Sequence, residues 1–177
     1  MIRLDININY EALQFILDYE PEAKASVYIN CCWTISCGKS TFVIRLLECK
    51  EQLCDIVFKN IVWCHCEDNA PHHLKDVSFF KSVPDFENPE NEPTLIVLDD
   101  LMDSAYSKKV SEIFTKGSHH RNISLVMITQ NLFHQGPSSP DIPLISIYIV
   151  VFMNPRDKTQ IVQLARQVYP KRCNFTL

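Results

Sequence analysis

Glycine is scarce in this chain: 177 residues contain three, Gly38, Gly117 and Gly136. Glycine takes left-handed backbone at no steric cost, and the loops of α/β proteins usually draw on more of it. Long apolar runs are missing too. None approaches the ~18 residues of a membrane span, so no membrane role is expected. Met1-Ile2-Arg3-Leu4-Asp5 is not a basic segment leading into an apolar one, so no secretory signal is expected there. Positive charge is not in surplus: 17 Lys and Arg face 21 Asp and Glu, a net charge of −4. Bulk charge therefore gives DNA binding no support. Repeats and low-complexity tracts are absent as well.

What is present describes one globular domain. Apolar residues make up 46% and charged residues 21% of the chain, the balance of a protein with a packed core. A chain of this length buries roughly 70% of its unfolded surface. The charge is uneven. Asp85, Glu87, Glu90 and Glu92 precede one apolar run, whereas Arg156, Lys158, Arg166, Lys171 and Arg172 crowd the C-terminal part. Eight cysteines occur with no sign of secretion, so they read as reduced thiols inside a cell, in nucleus or cytoplasm.

The pattern of elements alternates. Residues 1–24 form an N-terminal extension expected to be helical, with Leu13, Phe15, Ile16 and Leu17 partly buried between Tyr10 and Tyr19. Val27 to Cys31 reads as a strand, and Ser40 to Lys50 as a helix whose apolar residues Phe42, Val43, Leu46 and Leu47 fall at helical spacing. Further strands are predicted at Asn60–Cys64, Thr94–Leu98, Ile123–Ile128 and Tyr148–Phe152, with a short strand or turn at Val77–Phe80. Helices are predicted at Ser104–Phe114 and Thr159–Val168. Near-continuous apolar strands alternating with helices imply a mainly parallel sheet covered on both faces, a three-layer α/β domain over 25–177. In such sheets ligands sit beyond the C-terminal ends of the strands.

Three polar groups fall at those ends. The first is Ser36-Cys37-Gly38-Lys39-Ser40-Thr41, between a strand and a helix. Loop and first-turn N–H groups with the helix dipole suit a phosphate. Lys39 is placed to reach outer phosphates and Ser40 to ligate Mg²⁺. The full phosphate-loop pattern begins with glycine, and that position holds Trp33. The second group is Asp99-Asp100, closing an apolar strand. Asp99 would hold Mg²⁺ through water and Asp100 would orient or deprotonate an attacking water. Taken alone, such a pair also caps a following helix. The third is Thr129-Gln130-Asn131, where Gln130 would sense a γ-phosphate. Arg121, ahead of that strand, is a candidate arginine finger acting on a neighbouring subunit or a solvated loop charge.

Gly-Lys-Ser-Thr, then Leu-Asp-Asp, then Arg121 followed by an apolar strand and Thr-Gln resembles the FtsK–HerA superfamily of P-loop ATPases. Residues 114–124, 128–136 and 149–158 resemble more closely the poxvirus-type DNA-packaging ATPases of Polinton/Maverick and adintovirus-like elements. The resemblance spans about residues 25 to 170. It implies a P-loop NTPase fold and a motor that hydrolyses ATP with Mg²⁺. It also implies a homo-oligomeric ring moving double-stranded DNA, with capsid proteins as further partners. By motif, Lys39 and Ser40 bind phosphate and metal, Asp99 ligates metal, Asp100 is the catalytic acid, Gln130 the sensor and Arg121 the finger in trans. Trp33 departs from that pattern, as do Thr34, where the group often has Pro, and a C-terminus that stops soon after the last helix. These departures define the alternative, a catalytically impaired or truncated relic that binds nucleotide or serves a structural role.

Other groups carry less. Cys64-His65-Cys66 with His72-His73 offers five possible zinc ligands, but Cys-x-Cys is not the usual spacing and Cys64 is expected to end a buried strand. His119-His120 has no accompanying nucleophile and reads as a loop. Tyr106-Ser107-Lys108-Lys109 with Lys116 is a basic helix face that would meet solvent or DNA phosphates. A small-substrate P-loop kinase lacks an evident lid or acceptor motif.

Overall fold

The computed structural model describes residues 4–5, 28–32, 38–54, 56–66, 70–84, 91–101, 110, 122–130, 148–151 and 159–168. In chain order the elements are β1 (Leu4–Asp5), β2 (Tyr28–Cys32), α1 (Lys39–Glu48), α2 (Lys50–Leu53), β3 (Asn60–His65), β4 (Ser78–Phe80), β5 (Thr94–Asp99), β6 (Ile123–Thr129), β7 (Tyr148–Val151) and α3 (Thr159–Val168). The helices expected within 10–19 and 104–114 lie outside the described residues, apart from Val110, which is helical and fully buried.

Among the described residues the strands form one seven-stranded sheet in the order β1-β7-β2-β6-β5-β3-β4, and every pairing among them is parallel. The fold is therefore α/β with a parallel sheet, as the run of apolar strands predicts. Val77–Phe80, read as a strand or a turn, is a strand at the sheet edge, with Trp63 opposite Phe79. Leu4 and Asp5, ahead of the domain boundary placed at residue 25, pair with Ile149 and Val150 at the other edge.

Side-chain alternation splits the core in two. Ile61, Trp63, Leu95, Val97, Val126 and Ile128 share one buried cluster with Phe42, Val43, Leu46 and Leu47 of α1. The residues between them, Cys64, Ile96, Leu98, Ile123, Leu125 and Met127, share the other with Leu101 and Val110. A strand buried on both faces has no polar side to expose, which is why β5 and β6 read as unbroken apolar runs. One face is covered by α1, and against the other pack Leu101 and the helical Val110. The layers are helix, sheet and helix.

Left-handed backbone is needed in several places, and among the described residues most of them are met without glycine. Asp76, Asn91, Asp100 and Asn122 all have φ between 49° and 62°. Asp and Asn are the residues, after glycine, that visit this region at least cost. Asn122 shows why one of these turns holds. Its carbonyl accepts from Thr94 N at 3.1 Å, and its side-chain amide donates to the Asn91 carbonyl at 3.2 Å. The turn is tied to the start of β5 and sets the β5–β6 register, Thr94 opposite Ile123.

Leu125 is fully buried in the central strand. Leu125→Ala is expected to lower unfolding free energy by about 3 kcal/mol. Val57→Ala, at a residue 80% exposed, is expected to shift it by less than ~0.5 kcal/mol. Urea denaturation of the two variants checks the contrast, and equal losses would place the core elsewhere.

Candidate active site

The site is assembled at the C-terminal ends of the strands. Strand β2 leads through residues 33–37, which lie outside the described set together with Trp33, Ser36 and Cys37. The chain re-enters at Gly38, which precedes α1 with φ 91°. A Cβ there would meet nothing within 4 Å, so the need for glycine is in the backbone angle rather than in space. The Gly38 carbonyl accepts from Phe42 N at 2.8 Å and starts the helix. No side chain caps α1, and no acidic residue stands in its first turn. The positive end of the helix dipole thus keeps its attraction for an anion.

Lys39 and Ser40 open that helix. Lys39 is largely buried, with 9% of its surface exposed. Ser40 Oγ donates to Asp99 Oδ2 at 3.5 Å, a long contact by hydrogen-bond standards. It spans 59 residues of sequence and joins the loop to the end of β5. Thr41 is exposed on the same first turn.

Asp99 and Asp100 differ in environment. Asp99 ends β5 on the face covered by α1. Burial, and next the charge of Asp100, push its carboxyl up from 3.8 to about 6. The Trp63 indole, Lys39 and the Ser40 hydroxyl act in the opposite direction. Asp100 turns out of the strand with φ 49°. Its N–H donates to the Ile128 carbonyl at 3.1 Å, tying it to β6. Gln130 Nε2 donates to its Oδ2 at 2.5 Å. Its other oxygen, Oδ1, is buried with no hydrogen-bond partner.

The structure therefore brings together Gly38, Lys39, Ser40, Asp99, Asp100 and Gln130 at one edge. Arg121 lies outside the described residues, and its neighbour Asn122 sits at the start of β6, the end opposite Gln130. At about 3.3 Å per residue, the seven residues of β6 between those two ends span roughly 20 Å.

These donors fit a divalent cation of the hard type. Ser40 and Asp99 offer oxygens only, as Mg²⁺ prefers, and the next residue, Asp100, keeps one oxygen without a hydrogen-bond partner. Zinc is not served. Cys64 packs in the cluster on one face of the sheet, while His65, the next strand residue, points to the other. Burial pushes the Cys64 thiol up to about 12, so it stays protonated. The His65 ring instead meets His72 and Phe79, at centroid distances of 5.7 and 6.4 Å. Among the described residues no group of three candidate ligands converges.

Sequence reasoning missed two residues of this neighbourhood. His65 is the register partner of Asp99 on the adjacent strand, and Trp63 stands two positions earlier. Their signal was the Trp-x-His spacing in a strand, which puts both on one face, but only the pairing register shows that this face is the site.

Among solved structures the chain is similar to the cytoplasmic domain of EssC. Identity is 16% and the TM-score 0.54, over 82% of this chain and 36% of that one. The chain thus spans about a third of the length of the structure it matches. The likeness is one of fold, an α/β P-loop-like domain with a parallel sheet. No family model and no curated protein matches it. Among the described residues no helix is long and apolar enough to cross a membrane.

The Asp99 shift has a consequence for metal-free protein. Stability from protonated Asp99 is fully present below 3.8 and is lost as pH rises through about 6. Asp99→Asn removes that loss. The variant is expected to be more stable than the parent at pH 7.5, by on the order of 1–3 kcal/mol, and to lose this advantage toward pH 4. Thermal unfolding in chelator across that range checks the sign.

Proposed function

We propose that this chain binds ATP with Mg²⁺ and hydrolyses it, as a motor domain of the kind that translocates or packages double-stranded DNA. The observation that supports ATP chemistry is the Ser40–Asp99 contact, which places the phosphate-binding turn and the acidic strand end at one point. A bound Mg²⁺ would supply positive charge that offsets the charge developing on the phosphates. Ser40 and Asp99 would hold it, Lys39 would bind the outer phosphates, and the α1 N-terminus with residues 36–41 would cradle them.

Asp100 is arranged for the water. Gln130 fixes one of its oxygens and leaves the other without a partner. That oxygen would accept the proton of a water attacking the γ-phosphorus, as the bond to the bridging oxygen breaks and ADP leaves. Gln130, bound to Asp100 and ending the neighbouring strand, would relay the state of the γ-phosphate. The chemistry asks for positioning and charge neutralisation above all.

The DNA substrate, the ring and the capsid partner rest on the sequence resemblance. The position of Asn122 at the far end of β6 supports one part of it: Arg121 would serve the nucleotide of a neighbouring copy rather than its own. A second reading, a nucleotide-holding relic without turnover, is favoured by Trp33 at the first loop position.

Steady-state ATP turnover with and without duplex DNA tests both. Lys39→Ala is expected to abolish nucleotide binding. Asp100→Asn is expected to keep binding while lowering kcat by roughly 10²–10⁴-fold. Turnover indifferent to Lys39→Ala would overturn the assignment. A silent parent revived by Trp33→Gly would establish the relic reading and name its lesion.

A further inference from the structure

Strands β3 and β5 pair with Trp63 opposite Val97 and His65 opposite Asp99. Trp63 and Asp99 therefore share a face, one strand across and two residues along. With strands ~4.8 Å apart and a rise of ~3.3 Å per residue, their backbones are about 8 Å apart. An aromatic side chain spans such a diagonal. Trp63 is fully buried, and its Nε1 meets no hydrogen-bond acceptor. An indole N–H can only donate. Buried and unpaired, it is costly, whereas a phenyl ring would fill the same apolar space without that cost. Asp99 is the acceptor within its influence. The N–H falls short of hydrogen-bond geometry, yet the indole still draws the Asp99 pKa down against burial.

We propose that Trp63 is a positioning residue for the metal-holding carboxylate: its indole N–H donates to Asp99 and fixes the oxygen that stands beside Ser40 when a divalent cation is held. This rests on the reading of Asp99 as the metal-holding acid. A metal-holding carboxylate is a charged acceptor, and hydrogen bonds to charged acceptors are the shorter and stronger ones. Two donors from different elements, Ser40 of α1 and Trp63 of β3, would then define the carboxylate plane. Outer partners of this kind orient a ligand rather than bind the metal.

The chain has two tryptophans, Trp33 and Trp63, so the indole resonances of ¹⁵N-labelled protein are readily assigned by Trp63→Phe. The Trp63 indole resonance is expected to shift in Asp99→Ala and to broaden when Mn²⁺ and ADP are added to the parent. In Trp63→Phe, Mn²⁺ affinity measured with ADP present is expected to fall roughly tenfold, with the affinity for metal-free ADP unchanged. A Trp63 resonance that ignores Asp99→Ala overturns the proposal, and this holds even where Trp63→Phe folds poorly. Parent-like Mn²⁺ affinity in a folded Trp63→Phe overturns it while leaving the ATP reading intact. A parent that binds no Mn²⁺ with ADP overturns both.

Discussion

Two adjacent carboxylates stand at the end of β5, a strand buried along nearly its whole length, and the arrangement around them follows from how their charge is managed. Asp99 and Asp100 stand next to each other in a place that water reaches poorly, and both burial and mutual repulsion oppose full ionisation of Asp99. The surroundings answer with donors and a cation. Ser40 and Trp63 approach Asp99, Lys39 lies near enough to favour its charge, and Gln130 takes one oxygen of Asp100. What is left over is negative potential and one unpartnered carboxylate oxygen. Such a surplus of negative charge attracts cations and protons.

The parallel sheet makes that convergence possible. Strand β6 lies between β2, which leads to the Gly38 turn, and β5, which carries the acids. The acids and the turn are therefore two strands apart, and β6 contributes Gln130 from between them. The same alternation that sends Leu98 into one core cluster sends Asp99 to the face of α1, where Ser40 begins the helix. Moving β5 by one residue in register would turn Asp99 away from Ser40 and bury it among Ile96, Leu98 and Met127 instead. Register is thus as much a part of the site as the residues, and the Asn91–Asn122–Thr94 hydrogen bonds at the opposite end help to set it.

The central strands and α1 were legible because their burial leaves a plain signal. β3, β5 and β6 are apolar on both faces, and the apolar stripe of α1 has helical spacing. Observed bounds differ from the expected ones by a residue or two, and Thr159–Val168 was read to the residue. The edges were harder. β4 has three residues, two of them exposed, and β1 has two, too short for any periodicity to declare itself. Ser40, Asp99, Asp100 and Gln130 were legible as motifs at strand ends, which parallel topology brings to one edge. Trp63 and His65 were not, because their relation to Asp99 lies in pairing register, a long-range property that no local window of sequence contains.

The scarcity of glycine has a physical consequence at the site itself. Gly38 takes a left-handed angle where the turn meets α1, and a non-glycine residue there would be strained although space is open. Asp100 takes a comparable angle, φ 49°, without being glycine. It is held there from two sides: its N–H by the Ile128 carbonyl and its carboxylate by Gln130, both from β6. The strained backbone is what carries the carboxylate out of the line of β5, so that consecutive acids face different tasks. Were Asp100 extended like the strand before it, alternation would turn it to the face opposite Asp99, away from Ser40 and Lys39. The turn at Asp100 therefore converts a strand end that alternates into a pair of acids on one edge, and β6 supplies the hydrogen bonds that keep it so.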